Sequence, residues 1–239
     1  MHSEAPLVPA PRRPGVLGPG ARGSDPTNHR NYGGLDIAYD QRVQAPRQWT
    51  IAQAVLAAEL ALQAPPGPIL ELCSGVGHIG LLAAKISDRD LVLVDSSSVA
   101  CHFARENAVA ASWEGRSTIL CRDLNAALPR EARYPVIIAD PPWVPSALVG
   151  LYPDDPVAAI DGGIRGMRLA VACLRVIGRH LDPDGAAVLQ VGRLEQAEEL
   201  AVGLSSLPNA PLRLQRSTVH PGGVLLELVN AGARSQRQG

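Results

Sequence analysis

The sequence predicts an α/β protein built around a doubly wound, mostly parallel sheet of seven strands. From residue 68 onward, short apolar runs typical of buried parallel strands alternate with segments of helical periodicity. A glycine-rich turn joins the first apolar run to the first of these helices. Near the end of the chain two apolar runs follow each other without an intervening helix, which predicts an antiparallel edge.

The first 64 residues precede this alternation. Residues 1–27 are rich in Pro, Gly and Ala and show no hydrophobic period, which predicts a disordered leader. Residues 32–44 alternate weakly between polar and apolar side chains, as in a short hairpin. Residues 46–63 predict a helix, because their apolar side chains recur at steps of three and four. We expect residues 28–64 to form a hairpin and a helix that cover the functional site.

Residues 65–230 hold the repeated strand and helix units and form the predicted main domain, whereas residues 231–239 read as a disordered tail. Most of the predicted strands are bounded by Gly, Pro, Asp or Ser, which favour turns. The predicted strands span residues 68–73, 90–95, 117–121, 134–140, 185–192, 212–220 and 223–229. The predicted helices span residues 77–86, 97–113, 164–181 and 193–207.

The composition is that of a globular protein with an ample core, since 46% of the 239 residues are hydrophobic and 19% are charged. No run approaches the roughly 18 apolar residues of a membrane-spanning helix, and the N-terminus lacks the apolar stretch of a secretory signal. These features predict a cytoplasmic protein without a metal site, in which the widely spaced cysteines act as buried small hydrophobes. The cysteines are Cys73, Cys101, Cys121 and Cys173.

Charge is distributed unevenly along the chain, although the net charge is only −1. Basic residues outnumber acids in the first 30 residues and in the last nine, so the body between them is net negative. A net negative body lacks the extended positive surface of a protein that binds long nucleic acid. Only a local basic groove could bind nucleic acid in such a protein.

The glycine-rich turn has the sequence Gly75-Val76-Gly77-His78-Ile79-Gly80 and begins a predicted helix. This pattern brings the backbone close to a nucleotide-type cofactor, and two cofactors fit it. With NAD, the second glycine would meet the pyrophosphate at the helix N-terminus. With S-adenosylmethionine (SAM), the same turn would cradle the amino-acid end of the cofactor. In both cases Asp95, which ends the next predicted strand, would bind the ribose.

Glu71 favours SAM over NAD. It lies inside the first predicted strand, four positions before Gly75. The ammonium and sulfonium of SAM are cationic and gain from a nearby acid, whereas a pyrophosphate would be repelled by it. The acid therefore points to methyl transfer rather than to hydride transfer.

A second motif, Asp140-Pro141-Pro142-Trp143, follows the fourth predicted strand. The prolines fix the backbone, and the Asp140 carboxylate with the Pro141 carbonyl forms a pair of acceptors that suits an NH₂ group. Holding both hydrogens leaves the nitrogen lone pair free to attack a methyl group in line with its leaving group. Trp143 can stack on a planar amide, guanidine or base. We therefore interpret these four residues as the catalytic residues of nitrogen methylation.

Together the two motifs resemble those of class I SAM-dependent methyltransferases, which carry an acid-rich glycine loop and a [D/N]-P-P-[Y/F/W] motif after strand four. The resemblance implies a Rossmann-like fold and SAM as the cofactor. Residues 43–50 (VQAPRQWT) are similar to a P-R-x-x-T signature of HemK-type enzymes, which methylate glutamine side chains of release factors. Residues 154–168 resemble the stretch that follows N-P-P-Y in that family, so the resemblance runs from residue 32 to residue 229.

The resemblance also implies a role for each matching residue. The glycine turn and its neighbouring acids would contact SAM, Asp95 its ribose, and Asp123 with Leu124 its adenine. The implied cofactor-binding residues are Glu71, Cys73, Ser74, Gly75, Val76, Gly77, Asp95, Ser96, Asp123, Leu124 and Asp140. The implied acceptor-binding residues are Arg47, Thr50, Trp143 and Asp155.

Several residues depart from the pattern of the glutamine methyltransferases. Asp140 replaces an Asn, Trp143 replaces a Tyr, and Arg165 stands where that family usually has an acid. About thirty residues precede the hairpin, so the helical N-terminal substrate domain of that family is not expected. Because a carboxylate only accepts hydrogen bonds and is charged, Asp140 favours a guanidinium, an amine or an exocyclic amino group over an amide.

The sequence thus predicts an N-methyltransferase that acts on an amide, guanidine or amine of a protein, peptide or small molecule. One alternative is methylation of an exocyclic amino group of a nucleobase in RNA or DNA, which the D-P-P-[Y/F/W] motif also serves. Another, of a different class, is a catalytically inactive SAM-binding subunit. The negative body favours a protein or small-molecule acceptor over nucleic acid, and no membrane partner is expected.

Overall fold

The computed structural model of the protein describes residues 26–204 and 212–232. Most of the predicted leader, the end of the last predicted helix and most of the predicted tail lie outside the described residues. Within the described part of the chain, a seven-stranded sheet carries helices on both faces, and a two-stranded hairpin packs against one of these layers. The predicted fold class is confirmed.

Two antiparallel strands form the hairpin, β1 (Asn28–Tyr32) and β2 (Leu35–Tyr39). The strands of the large sheet are β3 (Ile69–Leu72), β4 (Leu91–Asp95), β5 (Ser117–Cys121), β6 (Tyr134–Ala139), β7 (Leu181–Val191), β8 (Leu212–His220) and β9 (Gly223–Asn230). Their order in space is β5-β4-β3-β6-β7-β9-β8, parallel from β5 to β7 and antiparallel at the edge that β9 and β8 form. The strand order reverses between β3 and β6, and ligands of such sheets bind at the carboxyl ends of the strands at that point.

Helices cover both faces of this sheet. They are α1 (Ile51–Gln63), α2 (His78–Ser87), α3 (Ser98–Ala110), α4 (Val157–Ile160), α5 (Arg168–His180) and α6 (Leu194–Gly203). One core cluster joins α1, α2, α3 and the hairpin to one face of the sheet, and a second joins α5 and α6 to the other. The buried face of α1 consists mainly of alanines, which let this helix approach the sheet closely.

Two helices begin four or more residues later than the sequence predicts. α1 begins at Ile51, after a 3₁₀ turn over Gln48–Thr50. α5 begins at Arg168, because Gly163 and Gly166 adopt left-handed backbone angles, with φ of 89° and 70°, that a helix cannot include. The short helix α4 lies in a segment for which the sequence predicts only a loop.

The hairpin is part of the core and also supports the glycine turn. Its residues Tyr32 and Ile37 are fully buried. Asn107 on α3 accepts a hydrogen bond from the Ala38 N–H at 2.8 Å, and its amide donates to the carbonyl oxygens of Ala38 at 3.1 Å and Val76 at 2.9 Å. One buried side chain therefore ties the hairpin to the turn that follows β3.

Gly80→Ala is expected to lower the free energy of unfolding by about 1–3 kcal/mol, because the added Cβ overpacks a close contact. It would collide with the Glu71 carboxylate and with the side chains of Leu91 and Leu93. Gly203→Ala in α6 is the matched control, since no atom lies within 4 Å of the Cβ added there. Urea unfolding of both variants measures the difference. A Gly80→Ala protein as stable as the Gly203→Ala protein would contradict the close contact.

Candidate active site

A cavity of about 390 Å³ lies at the carboxyl ends of the parallel strands, where the strand order reverses. Its walls come from the glycine turn after β3, from the D-P-P-W segment after β6, and from residues 42–50 ahead of α1. The ends of β4 and β5 and the loop around α4 complete it. Both the position and the volume are typical of a site for a small organic ligand.

The glycine turn has a backbone shape that favours glycine. Gly75 and Gly77 have left-handed φ angles of 52° and 80°, and a Cβ on Gly77 would press against the side chain of Leu93. Cys73 also has a left-handed φ, at 55°, which is uncommon for a residue with a side chain. Residues 73–76 line the cavity, and Gly77 caps the N-terminus of α2.

Glu71 lies beneath the turn and does not line the cavity. Its side chain is buried, and its Oε2 accepts a hydrogen bond from the backbone N–H of Gly80 at 3.0 Å. Burial above all raises the pKa of Glu71 well above its usual range, and the carboxylates of Asp140 and Asp95 raise it further. Glu71 therefore supports the turn from below, and its contact with a cofactor stays a prediction.

Asp95 fastens the glycine turn to the start of α3. One carboxylate oxygen accepts from the Gly75 N–H at 2.8 Å, and the other accepts from the Ser97 N–H at 2.8 Å. Burial raises the pKa of Asp95, while these backbone donors lower it. Each oxygen keeps a second lone pair, and Asp95 lines the cavity. The same carboxylate can therefore hold the turn and accept hydrogen bonds from a ligand.

Asp140 directly follows β6 and lines the cavity. Among the described residues, none makes a hydrogen bond or an ion pair with its carboxylate. Burial raises the pKa of Asp140 to about 7. The backbone before it is held by Gln53 on α1, whose amide donates to the carbonyl oxygens of Ala139 at 2.9 Å and Val188 at 3.3 Å. The backbone that leads to Asp140 is thus anchored, and the carboxylate can accept hydrogen bonds from a ligand.

Trp143 is held by the side-chain amide of Gln196. This amide donates to the Trp143 carbonyl oxygen at 3.0 Å, and its oxygen accepts from the N–H groups of Gly192 and Arg193 at 3.1 Å each. The indole ring packs on Gly192, where any added Cβ would collide with it. Gln196 carries no functional signal in the sequence, because a glutamine in the first turn of a helix is typical of an ordinary cap.

Arg47 and Asp155, both predicted to bind the acceptor, form an ion pair that joins two walls of the cavity. The Gln44 amide also donates to the Asp155 carboxylate at 3.3 Å. The Arg47 guanidinium lies over the ring of Trp49, 5.4 Å from its centroid. Residues 42–50 are therefore linked to the loop that follows the D-P-P-W segment.

Thr50 belongs to a buried polar cluster beside the cavity. Its hydroxyl donates to the Arg47 carbonyl oxygen at 2.7 Å and lies 2.8 Å from the hydroxyl of Tyr32. The Nε2 atom of His78 lies 3.5 Å from the Thr50 hydroxyl, and the Tyr32 ring meets the imidazole edge-on. Burial lowers the pKa of His78 to about 3, so this imidazole is neutral. The cluster ties the hairpin to the starts of α1 and α2.

The structure brings the predicted site residues together around one cavity, with two exceptions. Glu71 lies below the glycine turn, and Gly77 caps α2 without lining the cavity. Residues that the sequence does not single out line the cavity as well, among them Trp49, Gln190 and Gly222. Of these, Gln190 has a recognisable signal, since it is a lone polar residue near the carboxyl end of a buried strand.

Two of the four cysteines differ from the predicted burial. Cys121 is exposed because it ends β5, the edge strand of the sheet, and Cys73 is half-buried and lines the cavity. Within residues 26–204 and 212–232, no group of three His, Cys, Asp or Glu residues is placed to hold a metal ion. In the same ranges, no helix has the length and apolar character needed to cross a membrane.

Asp140→Asn is expected to stabilise the protein more at pH 8 than at pH 5. The folded-state pKa of Asp140, about 7, lies above that of an unfolded aspartate, so wild-type stability falls as pH rises towards 7. The neutral asparagine escapes this loss, which amounts to roughly 2–3 kcal/mol between pH 5 and pH 8. Urea unfolding at both pH values measures it, with Asp154→Asn, at an exposed position, as the control. An equal difference from wild type at both pH values would contradict the raised pKa.

Fold and site together define the class of this protein. A glycine turn after β3, a carboxylate at the end of β4 and the D-P-P-W segment after β6 surround one cavity. A SAM-dependent methyltransferase from Agrobacterium tumefaciens has the same fold, with a TM-score of 0.57 and 16% identity over 88% of this chain and 72% of that one. The chain therefore has the Rossmann-like fold of class I methyltransferases.

Residues 35–148 match the family model described as methyltransferase small domain. The ribosomal protein uL3 glutamine methyltransferase of Bradyrhizobium diazoefficiens is 34% identical over 130 residues, which are 52% of this chain and 40% of the relative. The release factor glutamine methyltransferase of Moorella thermoacetica is 32% identical over 173 residues, 70% of this chain and 60% of the relative. The chain thus spans about half the length of the curated relatives it matches.

Proposed function

We propose that the protein is a SAM-dependent N-methyltransferase that transfers a methyl group to an amide, guanidine or amine nitrogen of a protein acceptor. The observation that carries this proposal is the Asp140 carboxylate, which has no partner among the described residues and lines the same cavity as the glycine turn. An acceptor nitrogen held there would lie beside a cofactor held by the turn. The relatives from Bradyrhizobium and Moorella are protein glutamine methyltransferases, which supports a protein nitrogen as the acceptor.

The cavity suits SAM in its charge and in the sequence of residues that line it from one end to the other. Asp95, Asp123 and Asp140 line it without an ion pair to any described residue and Glu71 lies beneath it, and such carboxyl groups favour a ligand that carries a sulfonium and an ammonium. SAM would supply the methyl group as a substituent of its cationic sulfur. The residues that would hold it are Cys73, Ser74, Gly75 and Val76 at the amino-acid end, Asp95 and Ser96 at the ribose, and Asp123 and Leu124 at the adenine.

The acceptor would be oriented by the D-P-P-W segment. Asp140 and the Pro141 carbonyl would accept the two hydrogens of an NH₂ group, and Trp143 would stack on the plane of the acceptor. The nitrogen–carbon bond then forms as the carbon–sulfur bond breaks, and the sulfur leaves as a neutral thioether. A nitrogen that has gained a methyl group releases one proton. Asp140 can take up this proton, because its pKa of about 7 is close to neutrality.

Methylation of a nucleobase would call for a basic rim around the cavity. Three arginines line the cavity, but Arg47 is paired with Asp155 and Arg42 with Asp40, which leaves Arg122 as the third. This pairing favours a protein acceptor over RNA or DNA. An inactive SAM-binding subunit would keep the glycine turn but would have no need for the open carboxylate of Asp140.

Two measurements test the proposed function. Calorimetric titration of the full chain with SAM asks whether the cofactor binds. Incubation with methyl-labelled SAM and a fractionated cell lysate then asks whether label enters protein, nucleic acid or small molecules. Label in protein supports the proposal, label in nucleic acid supports the nucleobase alternative, and binding without any transfer supports the inactive subunit. Fractionation of the source cells would test the predicted cytoplasmic location.

A further inference from the structure

Two cysteine thiols, whose chemistry the proposed reaction does not use, are in contact at the wall of the cavity. The Sγ atoms of Cys73 and Cys173 lie 3.9 Å apart, although 100 positions of the chain separate the two residues. Cys73 directly follows β3 and lines the cavity, whereas Cys173 lies on α5. Both are free thiols. An S–S bond is about 2.05 Å long, so a shift of about 2 Å would bring the two sulfurs within bonding distance.

Cys73 is also the more strained of the two residues. Its φ of 55° lies in the left-handed region, which a residue with a side chain adopts only where the surrounding structure holds it. It begins the glycine turn, whose Gly75 N–H donates to the Asp95 carboxylate at 2.8 Å. Cys173, in contrast, lies within a regular helix that packs in the core. The shift that joins the two sulfurs therefore falls mainly on Cys73 and on the turn.

The cavity gives a dissolved oxidant access to this pair. Cys173 is fully buried, whereas Cys73 is half-buried and lines the cavity, so an oxidant meets Cys73 first. The hydrogen bond between the two thiols, together with burial, raises the pKa of Cys73 well above its usual range. The thiol therefore stays protonated at neutral pH and reacts slowly. A cofactor held by the glycine turn would cover Cys73, so the empty protein is the form that is open to oxidation.

We propose that Cys73 and Cys173 form a reversible disulfide that weakens the binding of SAM, with hydrogen peroxide as the oxidant. The Cys73 sulfur takes one oxygen from the peroxide and becomes a sulfenic acid, while one water leaves. The Cys173 sulfur then attacks the Cys73 sulfur, the S–O bond breaks and a second water leaves. The two thiols give up two electrons and two protons, and one peroxide becomes two waters.

This inference rests on the cofactor of the proposed function and is independent of its acceptor. The disulfide draws the start of the glycine turn towards α5, which misaligns the turn with the carboxylate of Asp95. SAM and its product are therefore expected to bind the oxidised protein about ten-fold more weakly, the loss typical of one misplaced hydrogen bond. Because coupling between two equilibria is reciprocal, bound cofactor opposes the disulfide by the same factor.

The first test treats the full wild-type chain with hydrogen peroxide, alkylates the remaining thiols and maps disulfides by mass spectrometry after tryptic digestion. Arg or Lys residues separate the four cysteines, so each cysteine lies in a different tryptic peptide. The expected product joins the peptides of Cys73 and Cys173 and is two hydrogen atoms lighter than their sum. Dithiothreitol should reverse the cross-link. Saturation with S-adenosylhomocysteine should slow its formation about ten-fold.

The second test compares the affinities of the reduced and oxidised forms for S-adenosylhomocysteine by calorimetric titration. The protein carries Cys121→Ser, because the Cys121 thiol interacts with that of Cys101 and the two could form a second disulfide. Arsenite then returns any sulfenic acid to the thiol and leaves disulfides intact. Oxidation should weaken binding about ten-fold in this protein. With Cys173→Ala added, oxidation should leave binding unchanged, and the reduced affinity should stay as it was, since Cys173 does not line the cavity.

Four results would overturn the inference: no cross-link between Cys73 and Cys173, a cross-linked protein that binds as tightly as the reduced one, a rate of cross-linking that S-adenosylhomocysteine leaves unchanged, or an equal loss of affinity with Cys173→Ala. The cross-link is mapped in the wild-type chain, so this result does not depend on the folding of a variant. If the reduced wild type does not bind S-adenosylhomocysteine, the proposed function fails and the inference with it. If it binds and the cross-link is absent or without effect, only the inference fails.

Discussion

Asp140→Ala is expected to lower the single-turnover rate of methyl transfer by at least a thousand-fold. The carboxylate has no partner among the described residues and lines the cavity, so it can bond the acceptor. Alanine would leave the acceptor nitrogen without an orienting group, and orientation can supply several kcal/mol of a reaction barrier. A thousand-fold loss corresponds to about 4 kcal/mol. SAM affinity should fall only modestly, because the glycine turn and Asp95 lie on other strands.

Asp140→Asn is the matched variant for this experiment. It keeps one accepting oxygen, so part of the activity should survive if the acceptor is a neutral amide. A cationic acceptor would lose a charge-assisted hydrogen bond, about twice as strong as a neutral one, and the asparagine variant would then be almost as slow as the alanine variant. Methyl transfer at the wild-type rate by Asp140→Ala would remove the D-P-P-W segment from the reaction.

Asp95→Ala is expected to weaken SAM binding by roughly 1.5–3 kcal/mol, the loss typical of a hydrogen bond to a charged group. This corresponds to about ten- to a hundred-and-fifty-fold in the dissociation constant. The structure adds a second cause for the loss. The Asp95 carboxylate accepts hydrogen bonds from the N–H groups of Gly75 and Ser97, so alanine would also release the glycine turn from α3.

Asp95→Asn separates these two causes. An asparagine retains one accepting oxygen, which can bond either the Gly75 N–H or a ribose hydroxyl but carries no charge. The affinity of the Asp95→Asn protein for SAM, measured by calorimetric titration, should lie between those of wild type and Asp95→Ala. Asp184→Ala removes an exposed carboxylate in the first half of β7, away from the cavity, and should not change the affinity. An Asp95→Ala protein that binds SAM as wild type does would place the ribose elsewhere.

Most of the large sheet could be predicted, because its strands are marked by local patterns. β5 begins and ends at the residues that the sequence predicts, and β4 differs by one residue at its start. The predicted starts of helices agree less well with the structure where glycines precede the helix. The start of α5 depends on the left-handed φ angles of Gly163 and Gly166, and such angles follow from the packing of the surrounding loop.

Among the site residues, Glu71 shows the limit of reasoning from proximity in the chain. It lies four positions before Gly75, which suggests a contact with the ligand. In a strand, however, alternate side chains point to opposite faces, and Glu71 points to the face that α2 covers, where Gly80 bonds it. Asp95 and Asp140 differ because they lie at or just beyond the ends of their strands, where the backbone opens into the cavity.

The sequence by itself determined the succession of strands and helices along the chain, the glycine turn and the positions of Asp95 and Asp140 after their strands, since hydrophobic periodicity and turn chemistry act over a few residues. Only the tertiary structure decided which distant polar groups share the cavity. Arg47 meets Asp155 across 108 positions of the chain, and Gln190 stands beside Asp140 because the strands that carry them are adjacent. These pairings result from the packing of whole strands and helices, which is driven by the burial of apolar surface far from the site. The residues that this packing brings together therefore share no local sequence pattern.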